Sequence, residues 1–218
     1  MERVTARLFA GFLTAALSVG PAALAYEMPL TERSVREAYF LGQRHDEATE
    51  KFLASYIQHF PLPKKGPHVA AIELLTPYAL AVKNSQRKAM GYSSQQAEKE
   101  YHDRGDTIEV RVLLQLTPTY PYMFAPPNPA KQKGMELRQD DFWKDFTIRL
   151  RQESATFSPI QMGGEPQYSA SDDGSVLSGA EVWLEYDASE VESSATEVEV
   201  LTPDGQDVVA AFDLAKLR

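Results

Sequence analysis

The hydrophobic period of this sequence changes at Gly105, and that change limits the fold more than any other feature. From Thr107 onward, Ile108, Val110, Val112, Leu114 and Leu116 alternate with Glu109, Arg111 and Gln115. This is the period-two pattern of a strand with one face buried. Upstream, apolar residues recur at helical spacing instead. The strands do not alternate regularly with helices, which argues against a doubly wound parallel sheet. The expected fold class is α+β, with an N-terminal amphipathic helix packed on an antiparallel, β-sandwich-like body.

In the helical part, residues 26–105, Thr31 reads as an N-cap between Leu30 and Val35, which are placed as a hydrophobic staple. Ser34 with Glu37 offers a second capping box. Val35, Ala38, Leu41, His45, Phe52, Leu53, Tyr56 and Phe60 form one stripe, opposite Arg36, Arg44, Glu47, Lys51 and Gln58. The spacing predicts one long helix stopped by Pro61 and Pro63. Phe40 falls on its polar side. A strand region is expected from His68 to Val82, with Thr76-Pro77 marking an edge or a bulge. Polar helices are expected from Asn84 to Met90 and from Ser94 to Arg104, with Gly91 and Gly105 at their C-terminal caps.

The β-rich part, residues 106–218, contains a long loop from Thr117 to Gly134 in which Tyr120, Tyr122 and Phe124 are interleaved with prolines. A turn around Asp140 to Lys144 leads into a strand carrying Phe146, Ile148 and Leu150. Gly163-Gly164 and Asp172-Asp173-Gly174 read as turns. Val182, Leu184 and Tyr186 alternate with Trp183, Glu185 and Asp187. Glu197–Leu201 and Asp207–Phe212 read as a hairpin across Thr202-Pro203-Asp204-Gly205.

Residues 1–25 read as a cleavable secretory signal peptide. Arg3 and Arg7 precede the uncharged apolar run Leu8–Val19, and Gly20-Pro21 leads to the small residues of Ala23-Leu24-Ala25. The run is too short for a membrane-spanning helix, which needs roughly 20 apolar residues. Cleavage after Ala25 makes Tyr26 the first residue and 26–218 a single exported domain, soluble in the periplasm or secreted, with no transmembrane anchor. The formal charge of −9 becomes one unit more negative when Glu2, Arg3 and Arg7 leave. That disfavours nucleic acid and anionic membrane surfaces as partners. With no cysteine, disulfides, thiolate metal sites and a cysteine nucleophile are excluded, and the core alone must hold the domain.

The chemistry-bearing motifs are weak. His45-Asp46 and His102-Asp103 each set an imidazole beside a carboxylate, a pairing used for metals and general bases. Neighbours on a helix diverge by about a third of a turn, so neither pair chelates readily through both side chains. Ser85-Gln86-Arg87-Lys88 has the serine–lysine spacing of penicillin-recognising enzymes without their partner motifs. Asp140, Asp141 and Asp145 read as a solvated acidic turn, and Asp172-Asp173-Gly174-Ser175 lacks the spacing and closing glutamate of a calcium loop.

No catalytic, metal-binding or cofactor-binding residue is therefore assigned, and no cofactor is implied. The expected function is a non-catalytic binding or interaction module that meets a protein, glycan or envelope component, with the aromatic loop 117–134 as the candidate contact. The alternative is a metal-dependent or hydrolase-like enzyme using His45/Asp46 and His102/Asp103.

Overall fold

The computed structural model describes residues 26–88, 91–127, 134–172 and 174–218. The expected leader, residues 1–25, lies outside them, as do Ala89-Met90, the stretch 128–133 of the long loop, and Asp173. The described chain is mixed helix and antiparallel sheet. In order its elements are α1 (Glu32–Gln43), α2 (Glu47–Ala54), β1 (Ile57–His59), β2 (His68–Leu75), α3 (Pro77–Arg87), α4 (Ser94–Arg104) and β3 (Thr107–Gln115). There follow β4 (Met123–Phe124), β5 (Glu136–Leu137), β6 (Thr147–Gln152), β7 (Ala155–Phe157), β8 (Gln161–Ser171), β9 (Gly174–Asp187), β10 (Ala195–Leu201) and β11 (Asp207–Asp213).

The long stripe from Val35 to Phe60 is not one helix. It is α1, a break, α2, and then β1. His45 stands in the left-handed region at φ 49°, and Asp46 caps α2 by accepting from Thr49 N at 3.1 Å. A capping aspartate outcompetes helix continuation because it satisfies an amide that a new N-terminus exposes. The Thr49 hydroxyl donates back to Leu41 O at 2.6 Å and ties the two helices together. The strand expected to reach Val82 stops at Leu75. Thr76 is the N-cap of α3, accepting from Ala79 N, and Pro77 sits in the first turn, where its missing N–H costs nothing. The stretch from Asn84 onward is the end of that helix and not a separate one.

β1-β2-β3-β9-β8 form a five-stranded antiparallel sheet, and β11-β10-β6-β7 form a four-stranded one. One cluster of buried side chains joins them. Ile72, Leu74, Val110, Val112, Val182, Leu184 and Tyr186 come from the first sheet, and Leu150, Val198, Val200, Ala210 and Phe212 from the second. Because β2 pairs along its length with β3, the sheet draws strands from both the 26–105 and 106–218 parts.

The helices form a second cluster, with Val35, Ala38, Tyr78, Val82 and Ala97 at its centre. α1 packs mainly on α3 and α4, and α3 is the helix that rests on β2 and β3. The main contacts of the N-terminal helix are therefore with other helices. Gly42 is the reason the helices come so close: a Cβ there would overlap Val82 O and lie 2.8 Å from Ser85 Cβ. Gly42→Ala should cost about 1–3 kcal/mol through overpacking, despite a gain of about 0.5–1 kcal/mol in helix propensity. A urea-unfolding midpoint measures the sign, and a stabilised variant would refute the crossing.

Gly163-Gly164 is not a turn. Both residues lie inside β8, where a Cβ on Gly163 would strike the Trp183 indole and one on Gly164 the Trp143 indole. Each glycine gives up strand propensity so that a tryptophan can lie flat on one face of the sheet. The other hairpins follow expectation. β8 ends at Ser171 and its antiparallel partner β9 begins at Gly174, which stands at φ 127°, and β10 turns into β11 at Thr202 to Gln206.

Candidate functional site

The inner face of the five-stranded sheet is apolar, but its outer face carries charge. By strand alternation Thr107, Glu109 and Arg111 of β3 project to the side that α3 and α4 cover. Glu181 and Glu185 of β9 and Glu73 of β2 join them. Lys83 of α3 pairs with Glu73, the two side chains 14% and 10% exposed. Arg111 pairs with Glu109 and, at 2.9 Å, with Glu181. Arg104 of α4 reaches Glu109 at 3.3 Å and Glu185 at 3.8 Å. Burial pushes the Lys83 ammonium below its ordinary value against the pull of Glu73.

Beside this network a cleft of about 640 Å³ opens between α3, α4 and the strand ends of β3, β8 and β9. Ligand pockets commonly span about 300–1,000 Å³. Glu185 and Thr107 line it near the sheet, Tyr92 and Tyr101 line it from the helical side, and Leu80 and Ile160 add apolar surface. Ile160 is 63% exposed, an apolar side chain held open at the rim. The Tyr92 hydroxyl donates to Glu100 at 3.0 Å, and that of Tyr101 donates to Asp106. Both phenols are held above their usual value, by burial first and by these hydrogen bonds second. They remain protonated donors at neutral pH. Among the described residues no histidine, serine or lysine lines the cleft.

The expected His-Asp sites look different in three dimensions. His45 is exposed at the α1–α2 break and not in the apolar stripe, and Asp46 is spent on its cap and on Arg44 at 2.7 Å. His102 is exposed with its ring against Tyr101, and Asp103 pairs with Lys99 at 2.9 Å, although Asp103 also borders the cleft. Among the described residues no three His, Asp or Glu side chains come together as a group able to hold a metal. His102→Ala should change unfolding free energy by less than about 0.5 kcal/mol, as surface substitutions do, and His45→Ala by no more than about 1 kcal/mol, since its left-handed backbone disfavours alanine too. Retained zinc or manganese lost from either variant would contradict that assignment.

The remaining motifs have structural explanations. Ser85 is fully buried at the α1–α3 crossing, and Lys88 pairs with Glu100 at 3.1 Å. Asp141 pairs with Lys144 at 2.7 Å, while Tyr168 donates to Asp140 at 2.7 Å. The aromatic loop is bound inward over its described part. Arg138 lies over Tyr120 at 3.5 Å and Phe124 at 4.9 Å, and donates to Pro121 O at 2.8 Å. Tyr120 and Tyr122 pack against the shared core. Met135 and Leu137 beside the loop face outward, 54% and 65% exposed.

No protein-family model and no curated protein matches this sequence. The residues that sequence reasoning missed are those of the outer face: Glu73, Lys83, Arg104, Thr107, Glu109, Arg111, Glu181 and Glu185. One signal was present, since Glu73 interrupts an otherwise apolar run in β2.

Proposed function

We propose that this chain is an exported, non-catalytic binding module, a single domain on a β-sandwich-like body, whose ligand site is the cleft between α4 and the outer face of the sheet. The observation that carries this reading is the cleft itself. Helices cover the neighbouring charged surface, yet here tyrosines, carboxylates and apolar side chains converge on open space, with no imidazole among the described residues that line it. Such a mixture binds and orients. Export rests on the leader-like residues 1–25, and the partner in that compartment would be a protein, glycan or envelope component.

The loop 117–134 has the weaker claim. Its Tyr120 and Phe124 are occupied by Arg138, which leaves Met135 and Leu137 as the apolar surface beside it. Amide chemical shifts recorded against a library of soluble fragments separate the two surfaces. Saturable shifts are expected at Tyr92, Tyr101, Ile160 and Glu185 together. Shifts confined to Tyr120–Phe124 and Met135–Leu137 would move the site to the loop, and no saturable shift anywhere would end the reading. N-terminal sequencing of protein recovered outside the cytoplasm is expected to begin at Tyr26. An intact Met1 would overturn the export route.

A further inference from the structure

We infer that the cleft recognises an organic monocation, an alkylammonium group whose charged head meets Glu185 and Thr107 and whose stem lies along the apolar wall. The inference rests on the cleft being the ligand site and names what the site would select.

Charge is the first ground. The outer-face network pairs four carboxylates, Glu73, Glu109, Glu181 and Glu185, with three cations, Lys83, Arg104 and Arg111. One carboxylate is in excess, and the geometry shows which. Glu109 is approached by both arginines, and Glu73 and Glu181 each have a short partner. Glu185 has only Arg104 at 3.8 Å, beyond hydrogen-bond length, and its carboxylate makes no hydrogen bond among the described residues. Yet the Glu185 side chain is only 16% exposed. A carboxylate so placed has lost much of its water without gaining a full partner, which favours the arrival of a cation.

The second ground is independent of charge. Thr107 is 4% exposed, and its hydroxyl has no hydrogen-bond partner. Buried hydroxyls are nearly always satisfied, and of the unpartnered buried atoms, Ser85 Oγ, Thr107 Oγ1, Tyr186 Oη and Arg218 Nε, only that of Thr107 belongs to a residue lining the cleft. Thr107 projects to the same sheet face as Glu109, whose partner across β9 is Glu185, and both Thr107 and Glu185 line the cleft. Gln161, opposite Glu185 on β8, adds an amide oxygen to the same border. Carboxylate, hydroxyl and amide are three acceptors, matching the three donors of an ammonium group. A divalent metal needs about six oxygen ligands, and the described residues contain no carboxylate or imidazole group of that kind. Leu80 and Ile160, with the rings of Tyr92 and Tyr101, suit a hydrocarbon stem.

Calorimetric titration with n-hexylamine and n-hexanol tests the idea, because the two probes share a stem and differ in charge. At pH 7 and low salt the amine should bind at one site, at least about tenfold more tightly than the alcohol. Glu185→Gln should bring the two probes within about twofold of each other. Thr107→Val should weaken amine binding while raising the melting temperature of the free protein, since it removes an unsatisfied buried hydroxyl. That opposite pair of effects keeps the test decisive even if Glu185→Gln does not fold. Equal binding of amine and alcohol, with shifts still at Tyr92 and Ile160, would overturn the cation and leave the cleft as the site. An amine preference that survives Glu185→Gln in a folded variant would also overturn it. Failure of both probes, together with no fragment shift at the cleft, would remove the cleft reading itself.

Discussion

Lys83→Met should destabilise the protein by about 3–5 kcal/mol, whereas the double variant Lys83→Met/Glu73→Leu should unfold within about 1 kcal/mol of the parent. The contrast follows from the cost of burying charge. Lys83 and Glu73 are both largely withdrawn from water, at 14% and 10% side-chain exposure, and face each other between α3 and β2. Removing the lysine leaves a carboxylate that has been desolvated without compensation, the expensive case. Replacing both groups by apolar side chains of similar size removes the penalty together with the attraction, the inexpensive one. Rescue of Glu73 by its cross-strand neighbour Arg111 is not available, because that guanidinium is already held by Glu109 and Glu181. Equilibrium urea unfolding, with slopes compared to confirm two-state behaviour, measures both numbers. A single variant within about 0.5 kcal/mol of the parent would mean that water reaches the pair, and the outer-face network would then count as surface charge.

That network also marks the limit of what the sequence makes legible. α4 could be read almost to the residue because its signals are local. Ser93 caps it, Gln96 returns the capping-box bond, and Gly105 ends it at φ 79°. The β10–β11 hairpin is legible for the same reason, a turn of Thr202-Pro203-Asp204-Gly205 between two alternating strands. The errors arise where two local readings compete. Thr76-Pro77 fits a strand bulge or a helix start, and the cap of Ala79 N decides it. The stripe Val35 to Phe60 keeps a helical period in sequence across a break that Asp46 caps. Gly163-Gly164 looks like a turn until the two indoles that lie on it are known.

The candidate site was less legible still. Arg111 and Glu181 are separated by 70 residues in sequence, and nothing in either neighbourhood announces the other. Glu109 reads as the polar face of a strand, yet it is 2% exposed, with the side chains of Arg104 and Arg111 paired to it. Alternation shows which way a strand residue points and not what covers it. The His-Asp pairs, by contrast, stood out in sequence because adjacency is visible there, and adjacency is a poor guide to convergence in space.

Tyr26→Ala should cost about 3–5 kcal/mol, the range for emptying a buried aromatic site, and Tyr26→Phe about 1 kcal/mol. Tyr26 belongs to the core shared by the two sheets. Its hydroxyl donates to Ala188 O at 3.0 Å and its backbone N–H to Leu217 O at 2.6 Å, so one residue fastens the start of the described chain to β9's end and to the C-terminal turn. Tyr26 also stands at φ 40°, in the left-handed region that a bulky residue adopts only when its surroundings impose it. Under the proposed export route this position acquires a particular meaning. Cleavage after Ala25 would turn the Tyr26 amide into an ammonium, strengthening its bond to Leu217 O by charge. It would also remove the preceding carbonyl whose clash makes a positive φ unfavourable. Protein beginning at Tyr26 should therefore unfold at a higher urea concentration than protein beginning at Ala23, and both should exceed Tyr26→Ala. If the two lengths unfold together while Tyr26→Ala is strongly destabilised, the ring anchors the core and cleavage adds nothing to it. If Tyr26→Ala is also neutral, the Tyr26 ring does not anchor the core, and the fold is fastened without it.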